Sequence, residues 1–176
     1  INSFEEITSL PKEARRLLNM YFTINTINIH KSEKSRDGTI KYSFQLYDKL
    51  LVEGVLIPSQ KRLTACVSSQ VGCSLVCNFC ATGTLKLKRN VTSAEIYDQV
   101  FILNQEAVLN FGRPLSNIVY MGMGEPLLNE SPVYDACQIL LDDWAFGLSR
   151  RRVTVSSSGV VPALLRMSDT VPVLSL

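Results

Sequence analysis

The sequence predicts an α/β chain in which a small antiparallel β extension is followed by alternating strands and helices. Up to about residue 70, short strand-like runs are separated by turn residues. Beyond Cys80, helical and strand-like patterns alternate, as they do where helical crossovers join parallel strands. Apolar residues make up 46% of the chain and charged residues 19%, so a packed core is expected rather than disorder.

The N-terminal region predicts one short helix. Residues 9–22 offer Ser9 as a candidate N-cap and Pro11 near the first turn. Four apolar side chains then follow at helical spacing: Ala14, Leu17, Leu18 and Tyr21. We therefore expect residues 1–24 to be the helical remnant of an accessory domain.

Residues 25–63 predict an antiparallel β extension. Asp37-Gly38 is a strong hairpin signal, and the apolar residues from Ile40 to Leu46 alternate with polar ones directly after it. The segments LLVEGVLIP and LTACVSS predict two further strands, separated by the turn SQKR. Together these runs indicate a small meander of antiparallel strands.

The remaining residues, 64–176, predict the alternating part of the fold. Thr92 and Glu95 form a capping box, and an apolar stripe follows it, so we expect a helix over 93–110. A second helix is expected to open at Ser131-Pro132, with an apolar stripe that ends at Trp144. The other expected elements are the strands SNIVYM, Arg152–Val155 and 171–176 and the short helix VVPALLRM.

Composition argues against a membrane protein. No window is the long uncharged apolar run that a membrane-spanning helix needs, and the N-terminus has no signal segment. We expect a cytoplasmic protein without membrane association. The net charge of +2 is too small to establish a polyanionic partner. The first residue is not Met and the last segment reads as a strand without a following turn, so we expect a fragment shortened at both ends.

Three cysteines predict a metal centre. Cys73, Cys77 and Cys80 fall within eight residues, which is more typical of metal ligation in a reducing compartment than of a disulfide framework. Three thiolates would hold a four-iron, four-sulfur cluster with one iron open, whereas a closed structural zinc site needs four ligands. Cys66 could be that fourth zinc ligand, so zinc stays an alternative. The only histidine, His30, is expected to be a surface strand residue and not a ligand.

The segments around these cysteines resemble the RlmN/Cfr family of radical S-adenosylmethionine RNA adenine methyltransferases. The resemblance rests on three motifs in the family's order: ACVSSQVGCSLVCNFCATGTLKLKRN, NIVYMGMGEPLLN and RRRVTVSSSGVVP. It extends from about residue 3 to residue 176. The stretches SSQVGC and VEGVLIP are more similar to the enzymes that methylate carbon 2 of adenine than to the carbon-8 branch. The resemblance implies that residues 64–176 form the first half of a radical S-adenosylmethionine barrel.

The resemblance also implies two cofactors, a [4Fe-4S] cluster and S-adenosylmethionine. The three clustered cysteines match the cluster ligands, and the open iron would bind the amino and carboxylate groups of S-adenosylmethionine. Gly124 and Glu125 match the turn that holds its methionyl end, since glycine permits close backbone approach and a carboxylate accepts from an ammonium. Ser156 matches a further contact with S-adenosylmethionine.

Two residues match catalytic positions of the family. Cys66 matches a cysteine that resolves a covalent protein–RNA intermediate by forming a disulfide. Glu53 matches the proton acceptor, although spacing alone favours a solvent-exposed Glu in a strand. The methyl-carrying cysteine of the family lies beyond Leu176, so we expect this chain alone to be inactive. Cys137 matches no catalytic position and is expected to be a small core residue.

The implied function is methyl transfer to carbon 2 of adenosine in 23S rRNA and in tRNA. That electron-poor ring carbon cannot displace a methyl group from a sulfonium by polar attack, so radical chemistry is required. The expected partners are these RNAs and an electron donor such as flavodoxin or its reductase, and the protein is expected to be a monomer. A carbon-8 methyltransferase and a zinc-stabilised RNA-binding module without catalysis stay open as alternatives. Candidate phosphate contacts are the basic residues at 61–62, 86–89 and 150–152.

Overall fold

The computed structural model describes residues 3–24 and 26–170 and confirms the α/β fold class. In that part of the chain the α-helices are α1 Lys12–Tyr21, α2 Ser93–Phe111, α3 Glu130–Leu141 and α4 Val161–Thr170. The strands are β1 Asn28–Lys34, β2 Ile40–Gln45, β3 Leu51–Pro58, β4 Leu63–Cys66, β5 Gln70–Val71, β6 Arg89–Asn90, β7 Asn117–Tyr120 and β8 Val153–Val155. None of the described helices is both long enough and apolar enough to cross a bilayer.

Six strands form one mixed sheet in the order β1-β2-β3-β4-β7-β8. Strands β1 to β4 pair antiparallel, as expected for the extension, and β4, β7 and β8 pair parallel. Helices α2 and α3 are the crossovers between the parallel strands. Because β4 pairs with both kinds of neighbour, the extension and the parallel part share one sheet. The division of the chain at residues 24 and 63 stays a prediction.

One face of the sheet forms the core with helix α2. A Cβ atom on Gly54 of β3 would lie 2.6 Å from a ring carbon of Phe44 and 3.3 Å from a methyl of Leu103 on α2, so the helix packs directly on this strand. The neighbouring residues with the same orientation, Val52 and Leu56, are fully buried. The opposite face of the sheet is only partly covered by the described residues, because Thr64, Val119 and Thr154 are half-buried.

The local signals of two elements are confirmed. Gly38 has a φ of +89° in the β1–β2 turn, and the Asp37 carboxylate accepts the Thr39 N–H at 3.0 Å. At the start of α2, the Thr92 hydroxyl accepts the Glu95 N–H at 3.2 Å, and the Glu95 carboxylate accepts the Thr92 N–H at 2.9 Å. Both ends of this capping box are therefore present, and the helix extends one residue further than predicted.

Two helix predictions need correction. Helix α1 begins at Lys12 without a side-chain cap from Ser9, and none of its residues is buried, because in the described chain it packs mainly on the 3₁₀ segment Phe4–Glu6. Helix α3 ends at Leu141, and Trp144 is 99% exposed instead of extending the apolar stripe. The Asp142 carboxylate accepts the Trp144 N–H at 2.8 Å, which turns the chain before Trp144.

Two of the three elements predicted near the C-terminus lie within the described residues, and both are present. Strand β8 begins at Val153, one residue later than predicted, because Arg150–Arg152 form a 3₁₀ turn. The short helix after it is present as α4. The strand predicted at 171–176 lies outside the described residues.

Candidate active site

Three loops meet at the edge of the sheet where the parallel strands end. They are the cysteine loop, which follows β4 and β5, the Gly122–Pro126 turn after β7 and the serine-rich turn after β8. Together they line a cavity of about 270 Å³. The cavity collects six of the predicted site residues: Cys73, Cys77, Cys80, Gly124, Glu125 and Ser156.

Backbone hydrogen bonds hold the cysteine loop in a tight conformation. The Cys80 N–H donates to the Cys77 carbonyl, and the Gly83 N–H donates to the Cys80 carbonyl, both at 3.0 Å. A Cβ atom on Gly83 would lie 2.9 Å from the Cys77 carbonyl oxygen, so this position needs glycine. Backbone hydrogen bonds from Gly83 and Thr82 lower the pKa of Cys80, which favours its thiolate. The loop conformation therefore favours the metal-binding form of Cys80.

The donor set of three thiols is of the type that holds an iron–sulfur cluster. All three thiols are free, and all three line the same cavity. Residues 3–24 and 26–170 contain no group of three or more Cys, His, Asp or Glu side chains that could hold one ion. Cys66, the candidate fourth zinc ligand, does not line the cavity.

The buried carboxylate of Glu125 joins two of the loops. One oxygen accepts the Leu127 N–H at 3.0 Å. The other accepts the backbone N–H and the hydroxyl of Ser158, at 2.8 and 2.9 Å. Since a carboxylate has about four lone-pair positions, little capacity is left for a ligand ammonium. In this conformation Glu125 mainly fixes the serine-rich turn against the Gly122–Pro126 turn.

Close packing at two glycines brings the Gly122–Pro126 turn against the chain after β4. Gly124 has a φ of +93°, and a Cβ atom there would lie 2.4 Å from the Cβ of Gln70. A Cβ atom on Gly122 would lie 2.7 Å from the Ser68 hydroxyl. Larger residues are excluded at both positions, so these glycines are required by packing whether or not they contact a ligand.

Sequence reasoning missed a buried polar network that positions the site. The Gln70 side chain accepts the Glu125 N–H at 2.9 Å, and the Ser68 hydroxyl accepts the Met123 N–H at 2.8 Å. The Gln99 side chain on α2 accepts the Ser68 N–H at 2.9 Å. Two features of the sequence could have indicated this network. They are the three polar residues directly after a strand and the glutamine inside the apolar stripe of α2.

Cys66 ends strand β4 and is 7% exposed. Burial raises the pKa of its thiol, and a hydrogen bond from the Met121 backbone partly opposes this. Its partner residues in the sheet are Val55 on β3 and Val119 on β7. By strand alternation it shares the face opposite α2 with these two residues.

Glu53 lies on the same sheet face as Cys66, two residues from Val55 along β3. Its side chain is 47% exposed and forms an ion pair with Lys41, with Nζ and Oε1 2.6 Å apart. The Ser68 hydroxyl donates to its backbone carbonyl at 2.6 Å. The structure therefore places Glu53 and Cys66 on one sheet face beside the cysteine cavity, but neither lines that cavity.

Two further expectations are confirmed. Cys137 is buried on α3, and its thiol donates to the Tyr120 hydroxyl at 3.4 Å. Burial raises the pKa of Cys137 to about 11, which suits an inert core thiol. His30 is exposed on β1.

One predicted phosphate contact is already occupied. The Arg89 guanidinium lies 2.6 Å from Asp48 and 2.8 Å from Glu95, so its charge is neutralised within the protein. These contacts raise the pKa of Arg89, with the Glu95 hydrogen bond as the largest cause. Arg89 therefore has a structural role between the β2–β3 turn and helix α2.

The relatives found by comparison with known proteins carry the same name. No protein-family model matches the chain. It is 51% identical over 168 residues to a probable dual-specificity RNA methyltransferase RlmN of Flavobacterium psychrophilum, a match that covers 96% of this chain and 48% of the relative. It is 48% identical to the dual-specificity RNA methyltransferase RlmN of Geobacter sulfurreducens, over 97% of this chain and 46% of the relative. The chain thus spans about half the length of the curated relatives that it matches.

A solved structure gives the same result. The crystal structure of a radical SAM methyltransferase from Sphaerobacter thermophilus superposes with a TM-score of 0.91 and is 37% identical in sequence. The superposition covers 99% of this chain and 51% of that protein. Over nearly its whole length the chain is therefore similar to about half of proteins named RlmN RNA methyltransferase and to about half of a radical SAM methyltransferase.

Proposed function

We propose that this chain carries the cluster-binding and S-adenosylmethionine-binding half of a cytoplasmic enzyme that methylates carbon 2 of adenosine in 23S rRNA and in tRNA. One observation carries the proposal. The loops that follow β4, β7 and β8 bring three free thiols and the Gly124-Glu125 turn to the walls of one cavity. Relatives named for RNA methylation support the reaction class.

The proposed cofactor roles follow from the lining of the cavity. Cys73, Cys77 and Cys80 would hold a [4Fe-4S] cluster and leave one iron open for S-adenosylmethionine. When bound, the cluster supplies the electron that starts radical chemistry, and a flavodoxin-type protein is the proposed donor. The Ser156 side chain lines the cavity without a hydrogen bond to any described residue, so it is free to contact S-adenosylmethionine.

The proposed proton and sulfur chemistry takes place on the adjacent sheet face. Glu53 would accept the proton that leaves the adenine ring, and the ion pair with Lys41 would orient its carboxylate. The Cys66 thiolate would attack the carrier sulfur of the protein–RNA adduct, so that a disulfide forms while the bond from that sulfur to the methylene carbon breaks. The released electron pair and a proton complete the methyl group on the adenine, and we place the carrier cysteine outside this chain. Burial raises the pKa of Cys66, so its thiolate is disfavoured in this conformation.

The test is methyl transfer by the protein that carries this chain. Protein reconstituted anaerobically with iron and sulfide is incubated with methyl-labelled S-adenosylmethionine, reductant and unmodified 23S rRNA, and Cys73→Ala serves as the matched control. We expect label at carbon 2 of adenine with the unaltered protein only. Label at carbon 8 would instead support the other branch of the family. Stoichiometric zinc without iron or sulfide would indicate an RNA-binding module.

A further inference from the structure

A second cavity, of about 520 Å³, adjoins the cysteine loop, and its lining differs in character from that of the candidate active site. We call it the lysine groove. Three lysines and several apolar side chains line it, and none of the lining residues is acidic. The lining residues that matter most are Lys49, Lys86, Lys88, Leu51, Leu85 and Met123.

The positive charge of the lysine groove is not neutralised within the described chain. None of its three lysines forms an ion pair or a side-chain hydrogen bond with a residue in 3–24 or 26–170. The neighbouring Arg89 contrasts with them, because it is held by Asp48 and Glu95. Three uncompensated charges thus gather at one place in a chain whose net charge is only +2.

The lysine groove is fixed to the site by backbone contacts. The Lys88 N–H donates to the Val71 carbonyl at 2.8 Å, and the Cys73 N–H donates to the Leu85 carbonyl at 3.2 Å. A Cβ atom on Gly72 would lie 2.3 Å from the Lys86 carbonyl oxygen, so the two segments are in direct contact. The lysine segment therefore cannot move independently of the residues that lead into the first cysteine.

The lysine groove also reaches the strand that carries Glu53. Leu51 lines the groove, and it shares the β3 face with Glu53, two residues away. Met123, between the two tightly packed glycines after β7, lines the groove as well. A ligand in this groove would thus lie beside both the cysteine loop and the proposed proton acceptor.

We propose that the lysine groove binds the phosphodiester backbone of the single-stranded RNA segment next to the reacting adenosine, an inference that rests on the proposed function. Unpaired lysines complement phosphates, and the apolar floor suits sugars and bases. An enzyme that acts on a base either takes a single strand or flips the base out of a duplex, and an open groove lined by lysines and apolar side chains suits the first. Contacts of this kind fix the position of the RNA without reading its sequence.

The test compares two triple variants that remove the same charge. Lys49→Gln, Lys86→Gln and Lys88→Gln are combined in one protein. Lys12→Gln, Lys34→Gln and Arg36→Gln are combined in the control, where the changed residues are exposed on α1, on β1 and in the β1–β2 turn, outside the lining of the groove. Binding of a fluorescein-labelled RNA hairpin with an adenosine in its loop is measured by anisotropy at several KCl concentrations, with cluster-reconstituted protein.

We expect the groove variant to bind at least about tenfold more weakly, with a salt slope that falls by about 0.7 per lysine, while the control stays within about twofold. Equal weakening in both variants would overturn the groove as a specific site. Unchanged RNA affinity together with intact methyl transfer would overturn the groove but leave the proposed function standing. Failure of the unaltered protein to bind the hairpin would overturn both. Loss of binding to an acidic peptide but not to RNA would assign the groove to a protein partner and overturn the proposal.

Discussion

The hydroxyl and the backbone N–H of Ser158 both donate to one carboxylate oxygen of Glu125. This contact connects the turn after β8 to the turn after β7. The Gln70 side chain connects the turn after β7 to the chain after β4. The relative position of the three cavity loops therefore depends on buried hydrogen bonds that need no ligand. Small changes in this network should alter ligand binding without touching the cysteines.

Replacement of Glu125 should cost more stability than its single charge suggests. Glu125→Ala leaves the Leu127 N–H and both Ser158 donors without their partner, so we expect a loss of about 3 kcal/mol in the free energy of unfolding. Urea denaturation followed by circular dichroism measures it. Glu130→Ala is the matched control, because Glu130 pairs with Arg166 near the surface and should cost less than about 1 kcal/mol. Equal losses would show that the Glu125 network is not important.

Replacement of any cysteine in the loop should abolish cluster formation. Cys73→Ala, Cys77→Ala and Cys80→Ala each remove one of the three thiolates that line the cavity. We expect reconstituted iron to fall from about four atoms per chain to nearly none, as measured by iron and sulfide analysis and by absorbance. Cys137→Ala, which alters a buried thiol on α3, should keep its cluster. A full cluster in any loop variant would refute the ligand assignment.

Removal of Cys66 should separate its role from that of the ligands. Cys66 lies outside the cavity lining, so Cys66→Ala should retain iron and sulfide. If it resolves the adduct, the variant should trap protein covalently on RNA, which denaturing gel electrophoresis with labelled RNA detects. Loss of the cluster in this variant would make Cys66 a ligand instead.

Much of the fold could be predicted because its signals are local. The capping box of Thr92 and Glu95 and the Asp37-Gly38 turn each act within a few residues, and both are present as predicted. Trp144 could not be placed in the same way. Its helical spacing was correct, but the helix ends earlier because the Asp142 side chain bonds the Trp144 backbone.

The candidate site shows the same division. The cysteine spacing is a short-range pattern, and the three thiols line one cavity as expected. The partners of Glu125 depend on residues 33 positions away in the chain, so no local pattern indicates Ser158 as the bonded serine. The neutralisation of Arg89 likewise depends on Asp48, which lies 41 residues earlier.

The ion pair of Lys41 and Glu53 should matter for transfer of the methyl group. Lys41→Met removes the cation that lies 2.6 Å from the proposed proton acceptor, so we expect methyl transfer to slow by about tenfold, and Glu53→Gln to slow it by about 10²-fold or more. Arg16→Met is the matched control, because Arg16 pairs with Glu13 on the exposed helix α1. Single-turnover rates with labelled S-adenosylmethionine measure the effect. A Glu53→Gln variant with full rate would refute the assignment.

The Arg89–Glu95 pair should make stability depend on pH with a defined sign. Burial alone would raise the pKa of Glu95, but hydrogen bonds from Arg89 and Thr92 and the Arg89 charge outweigh it, so its folded pKa lies below the ordinary 4.5. A lowered pKa contributes stability that is present above pH 4.5 and is lost as the pH falls through the folded value. The unaltered protein should therefore lose this contribution in acid.

Arg89→Met should reverse that dependence. It leaves the 2%-exposed Glu95 side chain without its cation, which should destabilise the protein by about 3 kcal/mol or more near neutral pH. The folded pKa of Glu95 should then rise, because burial is no longer outweighed, and protonation relieves the unpaired charge. The stability difference between variant and unaltered protein should thus begin to shrink as the pH falls through the raised folded pKa of the variant, above 4.5, and shrink further below 4.5. Urea denaturation near neutral pH and near pH 4 measures this difference, with Lys61→Met as an exposed control. A difference that stays constant between the two pH values would show that Arg89 stabilises the fold by packing and not through the charge of Glu95.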